Sequence, residues 1–148
     1  MTQELQKKVD FAIHLLRSAE KMAVKVGQAV EIAYSGGKDS DVILELAKMA
    51  GIKYRAIYKN TTIDPPGTIK HALDNGAEII RPKKPFFALV QEHGFPSRFR
   101  RHCCKYLKEY KVLDKCVIGI RKIESVKRAK RYNEPTECRF YGTKKRTR

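Results

Sequence analysis

At 148 residues, with 32 Lys and Arg against 16 Asp and Glu, the chain carries a formal charge of +16. That length suits one domain with a core of its own. No apolar run approaches the roughly 20 residues that span a bilayer, and Met1-Thr2-Gln3-Glu4 does not open a signal peptide. A cytoplasmic location without membrane contact is therefore expected. The charge is uneven: 18 of the Lys and Arg but only 5 of the acids fall in residues 98–148. Such a block either attracts nucleotides and nucleic acid or forms a solvated surface. The four cysteines, Cys103, Cys104, Cys116 and Cys138, show neither C-x-x-C nor zinc-finger spacing. Reduced thiols are expected rather than a disulfide framework.

In chain order, residues 3–26 read as a helix whose apolar face is Leu5, Ala12, Leu15, Leu16, Ala19, Ala23 and Val26, with Gly27 as its stop. Val30 to Tyr34 reads as a strand, Asp41 to Ala50 as a helix ended by Gly51, and Tyr54 to Tyr58 as a second strand. The loop Asn60 to Thr68 leads to a short helix with Ile69, Ala72 and Leu73, then a strand over Glu78 to Arg81. Pro85 opens a helix carrying Phe86, Leu89 and Val90. The basic segment Pro96 to Lys115 is expected as loop then helix, before a strand over Cys116 to Ile120 in which Cys116 belongs to the core. Strands alternating with helices predict an α/β protein with a parallel sheet covered on both faces. The domain reading is an N-terminal helix over residues 1–28, a nucleotide-binding domain over 29–134 and a basic tail over 135–148.

The most informative stretch is Ser35-Gly36-Gly37-Lys38-Asp39-Ser40, a glycine turn between a strand and a helix. Two glycines let the backbone turn sharply and approach a ligand closely. The first-turn amides and the positive dipole end of the helix then favour a phosphate or sulfate. Ser35 and Ser40 add hydroxyls and Lys38 a mobile charge, while Asp39 either caps the helix or stands near a metal. Neither the Walker spacing nor G-x-G-x-x-G is present. In an open parallel sheet the ligand crevice lies beyond the carboxyl ends of the strands. The segments after the first, second and last strands, residues 35–40, 60–68 and 121–128, should therefore share one edge.

Read together, three segments resemble the phosphoadenosine phosphosulfate reductase family, within the N-type ATP pyrophosphatases. Ser35 to Ser40 looks like their pyrophosphate loop (PP-loop), and Asn60 to Thr68 is similar to an Asp-Thr-Gly…Pro-Glu-Thr segment through Thr61, Pro66 and Thr68. Gly119-Ile120-Arg121-Lys122-Ile123-Glu124-Ser125-Val126-Lys127-Arg128 resembles their Gly-x-Arg…Glu-Ser…Arg motif. The resemblance covers residues 30–131 and implies a three-layer, Rossmann-like, adenine nucleotide alpha-hydrolase-like fold with about five parallel strands. It also implies that Ser35, Gly36, Gly37, Lys38, Asp39 and Ser40 hold the anionic group. Thr61 and Thr62 would line the nucleotide pocket, and Gly119, Arg121 and Arg128 would complete the phosphate or sulfate site.

Arg101-His102-Cys103-Cys104-Lys105 resembles the segment that gives iron–sulfur members half of their cluster ligands. A cluster needs four thiolates, and the later C-x-x-C is absent, so an iron–sulfur cluster is not expected. The reductases' Glu-Cys-Gly segment is absent too; Glu137-Cys138-Arg139 shares two of its letters.

The expected function is thus an enzyme binding adenylyl sulfate, its 3′-phosphate form or ATP, and acting on the sulfur or phosphate group. Lys38 and Arg121 would serve as electrostatic catalysts, and Cys103 and Cys104 are candidate thiols, which nearby cations would lower in pKa and a thiol reductant would serve. One alternative is an ATP pyrophosphatase that adenylates nucleic acid for sulfur modification, with magnesium on the phosphates. Another is a noncatalytic nucleotide- or nucleic-acid-binding module.

Overall fold

The structure is a computed structural model that describes residues 2–110, 112–120 and 126. Its elements are α1 (Gln3–Val24), β1 (Val30–Tyr34), α2 (Lys38–Ala50), β2 (Tyr54–Lys59), α3 (Thr68–Asp74), β3 (Glu78–Ile80), α4 (Phe86–His93), α5 (His102–Leu107) and β4 (Cys116–Val117). Among the described residues the sheet has four strands in the order β3-β2-β1-β4. All pairings are parallel, with Val30 opposite Tyr54, Ile57 opposite Glu78, and Glu31 opposite Cys116. An α/β fold follows, as the alternation of elements implies.

Side chains alternate between the faces of a strand, and here the alternation separates two environments. Val30, Ile32 and Tyr34 of β1, with Ala56 and Tyr58 of β2, join the main core, into which α1 and α2 send Leu16, Ala23, Leu44, Ala47 and Ala50. Ala72 and Ala77 close this core near α3. The positions between them, Glu31 on β1 and Ile57 and Lys59 on β2, face the other way. There the chain beyond α5 crosses the sheet: Leu113 N–H donates to Glu31 Oε2 at 2.9 Å, and Lys59 Nζ donates to the Tyr110 carbonyl at 2.8 Å.

Glu31, only 1% exposed, is thereby a buried carboxylate within an otherwise apolar strand. Lys59 Nζ lies 3.1 Å from its Oε1 and 5.0 Å from the Tyr110 ring centroid. The Tyr110 hydroxyl is pushed up in pKa by burial and then by the Glu31 charge. A buried carboxylate persists only when paired and hydrogen-bonded, and this pair ties the two central strands to the segment leading into β4.

Three sequence expectations are corrected. The strand β4 stops at Val117 instead of running to Ile120, because only Cys116 and Val117 find partners on β1. Cys116 is exposed rather than core, since β4 forms an edge of the sheet as described. Leu5 and Val26, assigned to the apolar face of α1, are 49% and 48% exposed: the helix buries Leu16 and Ala23, and Val26 lies beyond its end. Among the described residues no helix is long and apolar enough to cross a membrane.

Removing Lys59 while keeping Glu31 should strand a buried charge. Lys59→Met is expected to destabilise the fold by about 3–5 kcal/mol in urea denaturation. The double variant Glu31→Gln/Lys59→Met should lose clearly less, and equal losses would refute the coupling.

Candidate functional site

Three strand ends place the site. Because β1, β2 and β4 are parallel, the segments at 35–37, 60–67 and 118–120 leave the sheet at the same edge. From β1 the chain moves to β2 and β3 on one side, whereas β4 adds on the other side of β1. The switch point therefore lies between β1 and β4, where the loops diverge and leave a crevice. A cavity of about 230 Å³ is found there, lined by Ala33, Ser35, Asp39, Ser40, Ile118 and Gly119. Ser35, Asp39 and Ser40 of the first segment thus meet Gly119, the first residue of the third motif, at one cavity, and Arg121 to Arg128 lie outside the described residues apart from Val126.

The glycine turn is built from the inside. Gly36 adopts φ +74°, which a side chain would strain, and a Cβ there would stand 2.9 Å from Thr68 Cγ2 at the start of α3. Gly37 is the N-cap of α2, so Asp39, within the helix's first turn, is not the capping residue. Ser40, 5% exposed, holds the turn: its hydroxyl donates to the Gly37 carbonyl at 2.7 Å and accepts from Gly37 N–H at 3.2 Å. Ser35 Oγ lies a further 3.2 Å from Ser40 Oγ. Ser40 is consequently committed to shaping the loop, and Ser35, exposed at the rim, is the hydroxyl better placed for a ligand.

A second group braces the same turn from behind. The Tyr34 hydroxyl, at the end of β1, donates to Asp41 Oδ1 on α2. His71 Nε2 on α3 lies 3.3 Å from both Asp41 oxygens, and its ring stacks on Tyr34 with centroids 6.4 Å apart. Burial, and then the Asp41 carboxylate, raise the pKa of Tyr34 well above the usual phenol value, so it remains a hydrogen-bond donor. Sequence reasoning did not find Asp41 or His71. They are thirty residues apart, and no local spacing signals a contact made only when α2 and α3 lie side by side.

The remaining expected site residues distribute as follows. Lys38 is exposed at the first position of α2, beside the cavity lining but not part of it. Thr61 is 5% exposed, with its N–H and hydroxyl both donating to Asp64, at 2.8 and 2.6 Å. Thr62 has φ 66° and accepts from Phe86 N–H at 2.8 Å. Both threonines shape the loop after β2, and neither lines the cavity. Cys103 and Cys104 lie on α5. Burial first, and then Cys103 and Glu109, push the Cys104 thiol up, outweighing Lys108. Local cations therefore do not make Cys104 a ready thiolate. Arg121, Arg128 and Cys138 lie outside the described residues.

Among the described residues no three His, Cys, Asp or Glu side chains converge as a metal site. Asp39 is the carboxylate that lines the cavity.

Two outcomes test the loop geometry. Gly36→Ala should lose about 1–2 kcal/mol from the left-handed backbone, plus a steric part from Thr68 that Thr68→Ser relieves, as read by thermal unfolding of the single and double variants. Burial acts to raise the Asp64 carboxyl, yet its two bonds from Thr61, the neighbouring Tyr58 hydroxyl and the Lys108 charge leave it lowered. A lowered folded pKa contributes stability above the unfolded value near 4 that is lost as pH falls through the folded value. Asp64→Asn should accordingly reduce the fall in stability on acidification below about pH 4, measured by denaturation across that range.

No family model matches the chain. A protein of Methanocaldococcus jannaschii, described as uncharacterized, is 34% identical over 121 residues, which cover 71% of this chain and 25% of that protein. The chain thus spans about a quarter of the length of this relative.

Proposed function

We propose that the protein belongs with the phosphoadenosine phosphosulfate reductase-like nucleotide-binding proteins and binds an adenylyl nucleotide, acting on its sulfur or phosphate group. The observation that carries this reading is the cavity between the β1 and β4 strand ends, where Ser35, Asp39 and Ser40 meet Ile118 and Gly119. A phosphate or phosphosulfate group enters there against the first turn of α2, whose positive dipole end favours negative charge. Lys38 adds a charge at the helix start, and Arg121 follows directly on the cavity segment in sequence. These groups stabilise charge that develops on the transferred group. Asp39 would hold magnesium when ATP is the ligand, and the metal would neutralise the phosphates.

The second reading, an ATP pyrophosphatase that adenylates a nucleic acid, is favoured by the concentration of cations after residue 97. The raised thiol of Cys104 weighs toward electrostatic rather than thiol chemistry for either reading.

Calorimetry with adenylyl sulfate, its 3′-phosphate form and ATP is expected to show binding of at least one. Lys38→Ala should weaken that binding about tenfold or more, in keeping with roughly 1.5–3 kcal/mol for a hydrogen bond to a charged group. Binding of none of the three defeats the nucleotide reading. Sulfite released with a thiol donor selects the first chemistry, and pyrophosphate released with magnesium selects the second.

A further inference from the structure

A second cavity, of about 370 Å³, lies between α4 and α5 and is lined by His93, Arg100, His102, Lys105 and Tyr106. Its lining shares no residue with the cavity at the glycine turn. The walls are aromatic and cationic. His93 stacks on Tyr106 with ring centroids 5.5 Å apart and planes 6° from parallel, and it lies 5.3 Å from the His102 ring. Lys105 Nζ sits 5.6 Å from the Tyr106 centroid. His102 Nε2 is buried and has no hydrogen-bond partner among the described residues.

The loop entering α5 extends this surface. Ser97 N–H donates to the Arg100 carbonyl at 3.1 Å, and Arg100 N–H donates to Ser97 Oγ at 3.1 Å, closing a turn. At its tip Arg98 is exposed and Phe99 is 95% exposed, and Phe95 just before the turn is 77% exposed. Large apolar rings in water are costly unless something covers them. From His93 to Lys108 the sequence has Arg98, Arg100, Arg101, Lys105 and Lys108, flanked by Glu92, whose Oε2 is 3.8 Å from His93 Nε2, and by Glu109. An anionic membrane surface would also engage rings and cations, whereas the recessed cavity lined by His93, His102 and Tyr106 suits a planar base rather than a lipid surface. Rings interleaved with cations, beside a cavity of base size, match the π-face and the phosphodiester of an unpaired polynucleotide.

We infer that the α4–α5 surface is a docking site for single-stranded nucleic acid. Phe95 and Phe99 stack on bases, Arg98, Arg100 and Arg101 follow the phosphates, and the His93–His102–Tyr106 cavity takes one base. The site does not depend on nucleotide binding at the glycine turn, so either can fail without the other.

Fluorescence anisotropy of the full chain with labelled oligothymidylate and oligouridylate tests it. Tight binding is expected to single strands and weaker binding to a duplex of the same length. Phe95→Ala/Phe99→Ala should weaken single-strand binding roughly tenfold or more without changing the salt slope. Phe99→Tyr should retain affinity, and Arg100→Ala should reduce the slope by about 0.7. Circular dichroism should show the fold unchanged, since the replaced rings are exposed. Undiminished binding by the double phenylalanine variant, or duplex bound as tightly as single strand, overturns the inference and leaves only charge attraction by the basic segments.

Discussion

The hydrogen bonding of β1 on both of its edges is the constraint on which the rest depends. It pairs in parallel with β2 along its whole length and with β4 at Glu31 and Ile32. Parallel strands cannot be joined by a tight hairpin, so each connection must cross a face of the sheet, usually as a helix. That requirement puts α2 after β1 and makes the chain turn sharply at Gly36 and Gly37. The same requirement gathers the turn after β1 and the segment after β4 at one edge, where the strand order reverses.

The two faces of the sheet meet different demands. One is an ordinary apolar core of small and branched side chains from α1, α2 and α3. The other carries Glu31 and Lys59, whose buried pairing gives little net stability after desolvation but tolerates only one arrangement of the backbone beyond α5. Leu113 and Tyr110 are held there by their main-chain groups, which sets where the chain re-enters the sheet as β4. The position of Gly119 beside Ser35 and Asp39 thus depends on an ion pair on the far side of the sheet from α2.

Ser40 illustrates how a motif residue can serve a ligand indirectly. Its hydroxyl is already bonded to both backbone groups of Gly37 and lies close to Ser35, so its contribution is a turn held ready before any anion arrives. Thr61 does the same for the loop after β2 through Asp64. In both cases a side chain that sequence resemblance assigns to ligand binding is occupied by the protein's own backbone or by a neighbouring side chain. Preorganisation of this kind lowers the ordering cost of binding.

Local signals were sufficient for most of the elements. The apolar periodicity of Val42 to Ala50, the branched and aromatic runs at Val30 and Tyr54, and the glycines at 36, 37 and 51 determined β1, the turn, α2 and β2, because each depends on neighbours within a few residues. The strand order, the early end of β4, the exposure of Cys116 and the Tyr34–Asp41–His71 brace were decided only by the tertiary structure. They rest on contacts between residues far apart in the chain, whose partners no local spacing encodes. The glycine turn and Gly119 were legible as separate motifs. That they form one cavity followed from β4 adding beside β1 rather than beside β3, a choice made by pairing across the sheet.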